Sequence, residues 1–227
     1  MALSAFCVFE IRASGNKLNG GGFNAANVQG GKVDYTLQDS PQLSLTDLAC
    51  AGATTTVTSV AAGFTSGMAG NLLRLASGAG FTAGYYEVAT FVNTTTITLD
   101  RSPAAGAASG GTGRIGGANL ISDGGFPCIG DLNNAVAGMK WWAKAGAYSI
   151  SLNEPTLSTS TVLNPSSLEG YNTTRGDCSL NPALQRPVFT WTSNTIRLMV
   201  LSANGAICRS IEFDNAAAAK LFGLWLS

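Results

Sequence analysis

The sequence predicts a mainly β protein, and three observations support this fold class. Threonine- and valine-rich runs alternate with short breaks of Gly, Asn, Asp and Ser, as short strands and their turns do. Glycine accounts for 28 of the 227 residues, and charged residues make up only 11% of the chain. One segment alone, beginning at Asp131, combines an N-cap residue with apolar residues at helical spacing. We expect an irregular N-terminal arm, a small β-barrel or sandwich module, and then a short truncated β-helix-like or β-sandwich module with one or two short helices.

Residues 1–41 form the predicted N-terminal arm. Apolar residues alternate well enough over 5–12 for a strand, which runs into a glycine-rich stretch ending at Phe23. Residues 24–40 are polar and irregular. An arm of about 40 residues with little core-forming potential is longer than an ordinary loop. Such arms either wrap a neighbour or are disordered.

Residues 42–101 form the predicted small β-domain of five or six strands. The domain opens at Leu43 and Leu45, and β-branched and aromatic runs then follow with turn residues between them. Asn93 and Thr94 separate the last two runs and predict a hairpin turn. The runs cover residues 54–60, 72–75, 85–92 and 95–99.

Residues 102–118 are predicted to be a glycine-rich linker or an extended crossing segment, because Ala, Gly, Ser and Thr dominate them after Pro103. The stretch from Gly111 to Gly116 fits the pattern G-x-G-x-x-G. The dinucleotide fingerprint requires a strand before this pattern and a helix beginning within it, and neither is predicted here. A flexible seam is therefore the better interpretation.

Residues 119–227 form the predicted C-terminal β-rich domain. After a short helix near Asp131, residues 140–150 return to strand with an interruption at Gly146. The apolar tail over 216–226 is helix-capable, and core packing and a subunit contact are equally reasonable for it. Further strands are predicted at 188–191, 195–201 and 207–213, with Ile207, Ile211 and Phe213 on one face of the last.

Composition excludes several function classes. The chain contains no histidine, so Ser-His-Asp and Cys-His nucleophile sites and histidine-containing zinc sites are excluded. Thirteen basic residues balance thirteen acidic ones, so charge does not direct the chain to nucleic acid or an anionic membrane. No apolar run is long enough to span a bilayer, and the N-terminus lacks the features of a signal peptide. The five cysteines are expected to be reduced and buried: Cys7, Cys50, Cys128, Cys178 and Cys208.

A glycosidase that uses two carboxylates does not need histidine. The acids of this chain form no local constellation, and most of them adjoin Gly, Asn or Pro. We interpret them as turn-forming residues that bond their own backbone, and Arg175-Gly176-Asp177 as part of a tight turn. The candidates considered are Asp34, Asp39, Asp123, Asp131, Glu154, Glu169, Asp177 and Glu212.

Phrases over the first 118 residues resemble the start of a family of tailed-bacteriophage virion proteins. They are Phe9-Glu10-Ile11-Arg12, Asn19-Gly20-Gly21-Gly22-Phe23, Asp34-Tyr35, Gln38-Asp39-Ser40-Pro41-Gln42-Leu43, Gly70-Asn71-Leu72, Ser77-Gly78, Gly80-Phe81-Thr82-Ala83-Gly84-Tyr85-Tyr86, Thr96-Ile97-Thr98-Leu99-Asp100-Arg101 and Ile115-Gly116-Gly117-Ala118.

The second half resembles the opening of a right-handed parallel β-helix of the pectate-lyase type. The phrase from Trp142 to Tyr148 is similar to one that begins the first coils, and Ile211 to Asn215 resembles a later coil. Longer relatives continue for many more coils, whereas this chain stops at Ser227. We expect a few coils to be too short for a long substrate cleft, and to expose strand edges unless a cap covers them. Three further phrases resemble the turn of the β-helix family that follows its first coils: Glu169-Gly170-Tyr171, Thr174-Arg175-Gly176-Asp177 and Arg186-Pro187.

The resemblance implies a structural protein of the virion, most specifically a capsid cement or decoration protein. Its expected partners are the major capsid protein and the chain itself, as a homotrimer, with neither nucleic acid nor membrane. We expect no catalytic residue, cofactor or metal, and assembly into the virion in the host cytoplasm. The expected contact residues are Phe23, Val28 and Leu37 in the arm, and Leu224, Trp225 and Leu226 between protomers.

Two alternatives stay open. The second structural interpretation, after the cement or decoration protein, is a tail, baseplate or fibre component, since β-helix beginnings are common there. A less favoured alternative, from another class, is a polysaccharide-degrading β-helix protein or a carbohydrate-binding module that uses Trp141, Trp142 or Trp191.

Overall fold

The computed structural model confirms a mainly β protein. It describes residues 8–16, 18–20, 41–118, 138–150, 156–157, 162–163, 165–173, 175–181, 183–191, 199–201, 205–215 and 224–226. The chain divides into two units, one made of residues 18–119 and the other of residues 1–17 with 120–227. The strands are β1 Val8–Ile11, β2 Leu43–Cys50, β3 Thr56–Thr58, β4 Leu72–Phe81, β5 Gly84–Asn93, β6 Thr96–Leu99, β7 Ala104–Ile115, β8 Lys140–Lys144, β9 Gly146–Ile150, β10 Thr156–Leu157, β11 Ser167–Tyr171, β12 Pro187–Trp191, β13 Met199–Leu201, β14 Ile207–Arg209, β15 Glu212–Asn215 and β16 Leu224–Leu226.

The unit of residues 18–119 is a closed antiparallel barrel with the strand order β2-β3-β6-β5-β4-β7. Its strands alternate inward and outward side chains, as in β6, where Ile97 and Leu99 are buried and their neighbours are half-buried. A 3-10 turn at Ser66–Met68 contributes Met68 to the same core. The hairpin predicted at Asn93 is confirmed, because β5 and β6 pair antiparallel with Asn93 opposite Thr96. The Asn93 side chain accepts the Thr95 amide hydrogen at 2.9 Å within the turn. The core includes Leu45, Leu48, Val57, Phe64, Leu73, Leu75, Tyr86, Val88 and Ile115.

The interpretation of residues 102–118 as a linker is wrong, and so is the end of the β-domain at residue 101. Residues Ala104–Ile115 form β7, which pairs with both β2 and β4 and closes the barrel. Its small residues fit close neighbours: a Cβ on Gly111 would lie 2.7 Å from the Leu48 Cβ. The G-x-G-x-x-G pattern therefore lies along β7 and ends one residue beyond it, and Gly111 and Gly113 permit close packing of the strand against its neighbours.

Within its described residues, the second unit is a parallel β-helix of three coils, which agrees with the β-helix alternative and not with the sandwich. Its strands follow one another as β8-β9-β10, β11-β12-β13 and β14-β15-β16. Each strand pairs in parallel with its equivalent in the next coil, giving three parallel sheets. The predicted interruption near Gly146 is the corner between β8 and β9.

Strand β1 belongs to the β-helix and not to a separate arm. It pairs in parallel with β8 and heads the sheet β1-β8-β11-β14. The barrel is therefore inserted in the sequence between two neighbouring strands of one sheet. The prediction of an arm over residues 1–41 is therefore wrong for residues 8–11, which form a strand of the β-helix. Residues 21–40 lie outside the described residues.

Aromatic side chains pack on one another from strand to strand in the β-helix, stacked in the first sheet and edge to face in the second. Phe9 and Trp141 are opposite each other in register, with ring centroids 6.2 Å apart and nearly parallel planes. In the second sheet, Tyr148, Phe189 and Phe213 occupy equivalent positions, with successive centroids 5.2 and 6.2 Å apart. Such pairs add about 0.5–1.5 kcal/mol each beyond the area that they bury.

Two further predictions for this unit are corrected. Residues 207–213 form two strands, since the chain turns a corner at Ser210, whose φ is 57°. Leu224–Leu226 form strand β16 where a helix-capable tail was predicted. The helix predicted near Asp131 lies outside the described residues, and a short helix, α1, spans Asp177–Leu180.

Substitution of two glycines on β7 tests the packing of this strand. We expect Gly111→Ala to lower the free energy of unfolding of the barrel by about 1–3 kcal/mol, because its methyl group would overlap Leu48 and Phe81. The matched control is Gly106→Ala on the same strand, where an added Cβ has no atom within 4 Å. We expect this control to stay within about 0.5 kcal/mol. Urea denaturation measures both, and equal effects would contradict the packing described for β7.

Candidate functional site

A cluster of buried charges lies in the first sheet of the β-helix around Glu10, whose side chain is 0% exposed. The Arg175 guanidinium donates to its Oε2 from Nε at 3.0 Å and from Nη2 at 2.5 Å. On the other carboxylate oxygen, Oε1, the Tyr171 hydroxyl donates a short hydrogen bond, and Arg12 Nε donates at 3.4 Å. We call these four residues the Glu10 cluster.

Three local features bring the cluster together. In β1, Glu10 alternates with Phe9 and Ile11 and so points to the opposite face of the sheet. Tyr171 ends β11 two strands away, and Arg175 follows in the turn before α1. The Asp177 carboxylate accepts the amide hydrogens of Asn172 and Thr173, each at 2.8 Å, which fixes this turn. The predicted role of Asp177 as a turn-forming acid is therefore confirmed.

Burial dominates the electrostatics of the cluster. It raises the pKa of Glu10 above the ordinary 4.5, while Arg175, the Tyr171 hydrogen bond and Arg12 act in the opposite direction. Burial and the adjacent Glu10 carboxylate also raise the pKa of Tyr171. Both groups therefore favour their neutral forms more than they would in water.

The geometry gives the Glu10 cluster a structural role. A general acid or base must come within hydrogen-bonding distance of a substrate. Both oxygens of Glu10 are engaged by neighbouring side chains, and the whole side chain is buried. The cluster thus joins β1, β11 and the turn before α1. Glu10 was not among the candidate acids predicted from the sequence.

A second ion pair lies at the last coil. Glu169 and Arg209 are directly opposite each other on β11 and β14, and Arg209 Nε donates to Glu169 Oε2 at 2.6 Å. The Glu169 side chain is 7% exposed and that of Arg209 53% exposed. Glu169 is therefore a cross-strand partner, and Glu212 is an exposed residue of β15. The other candidate acids lie outside the described residues: Asp34, Asp39, Asp123, Asp131 and Glu154.

The last coil also carries the predicted protomer contact. Leu224, Trp225 and Leu226 form β16, in which Trp225 pairs with Val200 of β13. Within the described part of the chain, β14, β15 and β16 each end their sheet and pair on one side only. The three arm residues predicted to contact a partner, Phe23, Val28 and Leu37, lie outside the described residues.

The tryptophans considered for carbohydrate binding differ in their exposure. Trp141 is 0% exposed and packs on Phe9, so its ring is not available to stack on a sugar. Trp142 is half-buried, and the side chain of Trp191 lies outside the described residues.

The described cysteines are free thiols. Cys50 and Cys178 are buried, as predicted, whereas Cys208 is half-buried and burial raises the pKa of its thiol to about 12. Cys7 and Cys128 lie outside the described residues. In the part of the chain that is described, no three metal-ligating side chains come together. No described helix has the length and apolarity to cross a membrane.

Comparison with known proteins identifies no relative: no family model, curated protein or solved structure matches the chain.

Substitution of Glu10 by Gln isolates the titration of this buried carboxyl. Because its pKa is raised in the folded chain, the folded state holds the proton more tightly than the unfolded state. The resulting stabilisation is full below about pH 4.5 and is lost as the pH rises through the folded pKa. We therefore expect the free energy of unfolding of the unchanged chain, minus that of Glu10→Gln, to be larger at about pH 4 than at about pH 7.

Urea denaturation at both pH values measures this difference. Glu212→Gln, which removes a carboxylate at an exposed position of β15, is the matched control for the loss of one carboxylate. If this difference in the free energy of unfolding for Glu10→Gln were instead larger at about pH 7 than at about pH 4, the effect of Arg175 and Arg12 on the pKa of Glu10 would outweigh that of burial.

Proposed function

We propose that this chain is a structural protein of a tailed-bacteriophage virion, a capsid cement or decoration protein that binds across major capsid subunits. The observation that carries the proposal is the last β-helix coil, whose strands β14, β15 and β16 pair on one side only within the described residues. Strand edges present main-chain donors and acceptors that readily pair with another chain. This surface is suited to assembly, and the sequence resemblance supplies the virion context.

The arrangement of charges supports a structural role. Glu10 pairs with Arg175, Glu169 with Arg209, and Asp100 with Arg101. Each of these carboxylates is thus paired with an arginine of its own unit. Aromatic rings packed from coil to coil, and an ion pair such as Glu169–Arg209 that joins neighbouring strands, are typical of a rigid scaffold, which a shell-stabilising protein requires.

The contacts follow the sequence prediction. We assign Leu224, Trp225 and Leu226 to a homotrimer contact, because β16 lies at the edge of its sheet. Phe23, Val28 and Leu37 are assigned to the major capsid protein. The proposal requires no cofactor, nucleic acid or membrane, and places the chain in the virion after assembly in the host cytoplasm.

A tail, baseplate or fibre component is the alternative that the parallel coil stack favours. Antibody labelling of intact virions separates the two, because a cement protein covers the head and a fibre or baseplate protein lies at the tail. A carbohydrate-binding role through Trp141 is disfavoured by the burial of that ring.

The assembly proposal predicts a defined mass and a defined partner. We expect light scattering after size exclusion to give three times the 23.2 kDa of one chain. We also expect the purified protein to co-sediment with empty capsids of the phage that encodes it. A monomer that does not bind these capsids would overturn the proposal.

Substitution in β16 tests the protomer contact. We expect Trp225→Lys to give monomers, because lysine on an edge strand disfavours pairing with another chain. Circular dichroism establishes that the variant is folded, and Lys144→Gln, which changes a half-buried residue on β8, serves as the control for trimer mass. A folded variant that is still trimeric would exclude β16 from the contact.

A further inference from the structure

The barrel carries a small groove that contains two arginines. Its cavity volume is about 270 Å³, and Arg74 and Arg114 line it together with the hydroxyl residues Ser44, Thr46 and Thr112. Leu18, which is 37% exposed, and the buried Leu45 supply an apolar part of the wall. We call this feature the arginine groove.

The two arginines are direct neighbours on adjacent antiparallel strands. Arg74 on β4 is opposite Arg114 on β7, and Ser44 on β2 is opposite Arg114 on the other side. Side chains in this relation share one face of the sheet, and two like charges so placed destabilise it. The fold therefore holds two positive charges together at the groove.

Neutral groups hold both guanidinium groups in place. Arg114 Nη1 donates to Asn19 Oδ1 at 3.0 Å. Arg74 donates to the main-chain oxygens of Leu75 and Gly84, and its guanidinium lies 5.2 Å from the centre of the Tyr85 ring. Among the described residues, neither arginine forms an ion pair with a carboxylate. The contacts orient the two charges and leave their repulsion uncompensated within that part of the chain.

We propose that the arginine groove binds an acidic side chain on a segment of a partner protein. Guanidinium groups pair with carboxylates through two parallel hydrogen bonds, and the three hydroxyl groups offer further polar contacts. The volume is slightly below the range of about 300–1,000 Å³ that is usual for small-molecule sites, so it suits one or two side chains. Two arginines on a chain of zero net charge do not supply the run of phosphate contacts that nucleic acid requires. This inference does not depend on the proposed virion function.

A peptide titration of the whole ¹⁵N-labelled chain tests the proposal. The probe is the capped pentapeptide GDEDG, and the control is its amide counterpart GNQNG. We expect saturable shifts of the Thr112 and Gly113 amide signals with the acidic peptide alone. Inorganic phosphate in a parallel titration should bind more weakly, since it lacks the peptide flanks that contact the hydroxyl and apolar wall.

Two variants link the binding to the arginines. We expect Arg114→Gln and Arg74→Gln each to lower the affinity for the acidic peptide about tenfold or more, because each removes a charged hydrogen-bond donor. Lys144→Gln removes one positive charge from the other unit and should leave the affinity unchanged. Amide spectra establish that each variant keeps its fold.

Three results would overturn the proposal. One is binding of GNQNG or of phosphate as tight as that of GDEDG, which would indicate a non-selective surface or a simple anion site. Another is unchanged peptide affinity in Arg114→Gln and Arg74→Gln. The third is the lack of any saturable shift in the unchanged chain.

Discussion

The parallel pairing of β1 with β8 is the constraint on which the rest of the β-helix depends. Val8 is in register with Lys140 and Ile11 with Ala143, although the whole barrel lies between these strands in the sequence. The entropic penalty of closing a long connection grows only with the logarithm of its length, so an insertion of this size is tolerable. Once β1 is placed, Phe9 stacks on Trp141 on one face, and Glu10 meets Arg175 on the other.

The Glu10 cluster also specifies the register of β1. A shift by one residue would exchange the two faces of the strand, which would bring Glu10 to the side of Phe9 and Ile11. Arg175 and Tyr171 would then lose their buried partner, and removal of one member of a buried ion pair destabilises a protein by about 3–5 kcal/mol. A fully apolar strand would carry no such penalty for slippage. The charged cluster therefore contributes specificity even where burial opposes ionisation of Glu10.

The sequence predicted the elements whose signal is local. The β-branched run over 95–99 predicted β6, the turn residues Asn93 and Thr94 predicted its hairpin, and the break near Gly146 separated β8 from β9. Strand β7 was missed because alanine and glycine carry little alternation, and the pairing with β2 and β4 determines its conformation. The apolar residues of β16 fit a helix or a buried strand equally well, and only pairing with β13 decides. Glu10 and Arg175 are 165 residues apart, so no local pattern could join them.

Arginine has different surroundings in the two units. In the β-helix it pairs with a buried carboxyl group, whereas in the barrel two arginines lie together at a groove. Arg175 neutralises a carboxylate inside the β-helix, where an unpaired charge would be expensive. Arg74 and Arg114 repel each other at an accessible groove, where water limits the penalty and a carboxylate from outside would remove it. Open strand edges supply main-chain affinity that discriminates poorly between partners. A groove with two oriented guanidinium groups favours one chemical class, because any partner without a carboxylate leaves the repulsion in place.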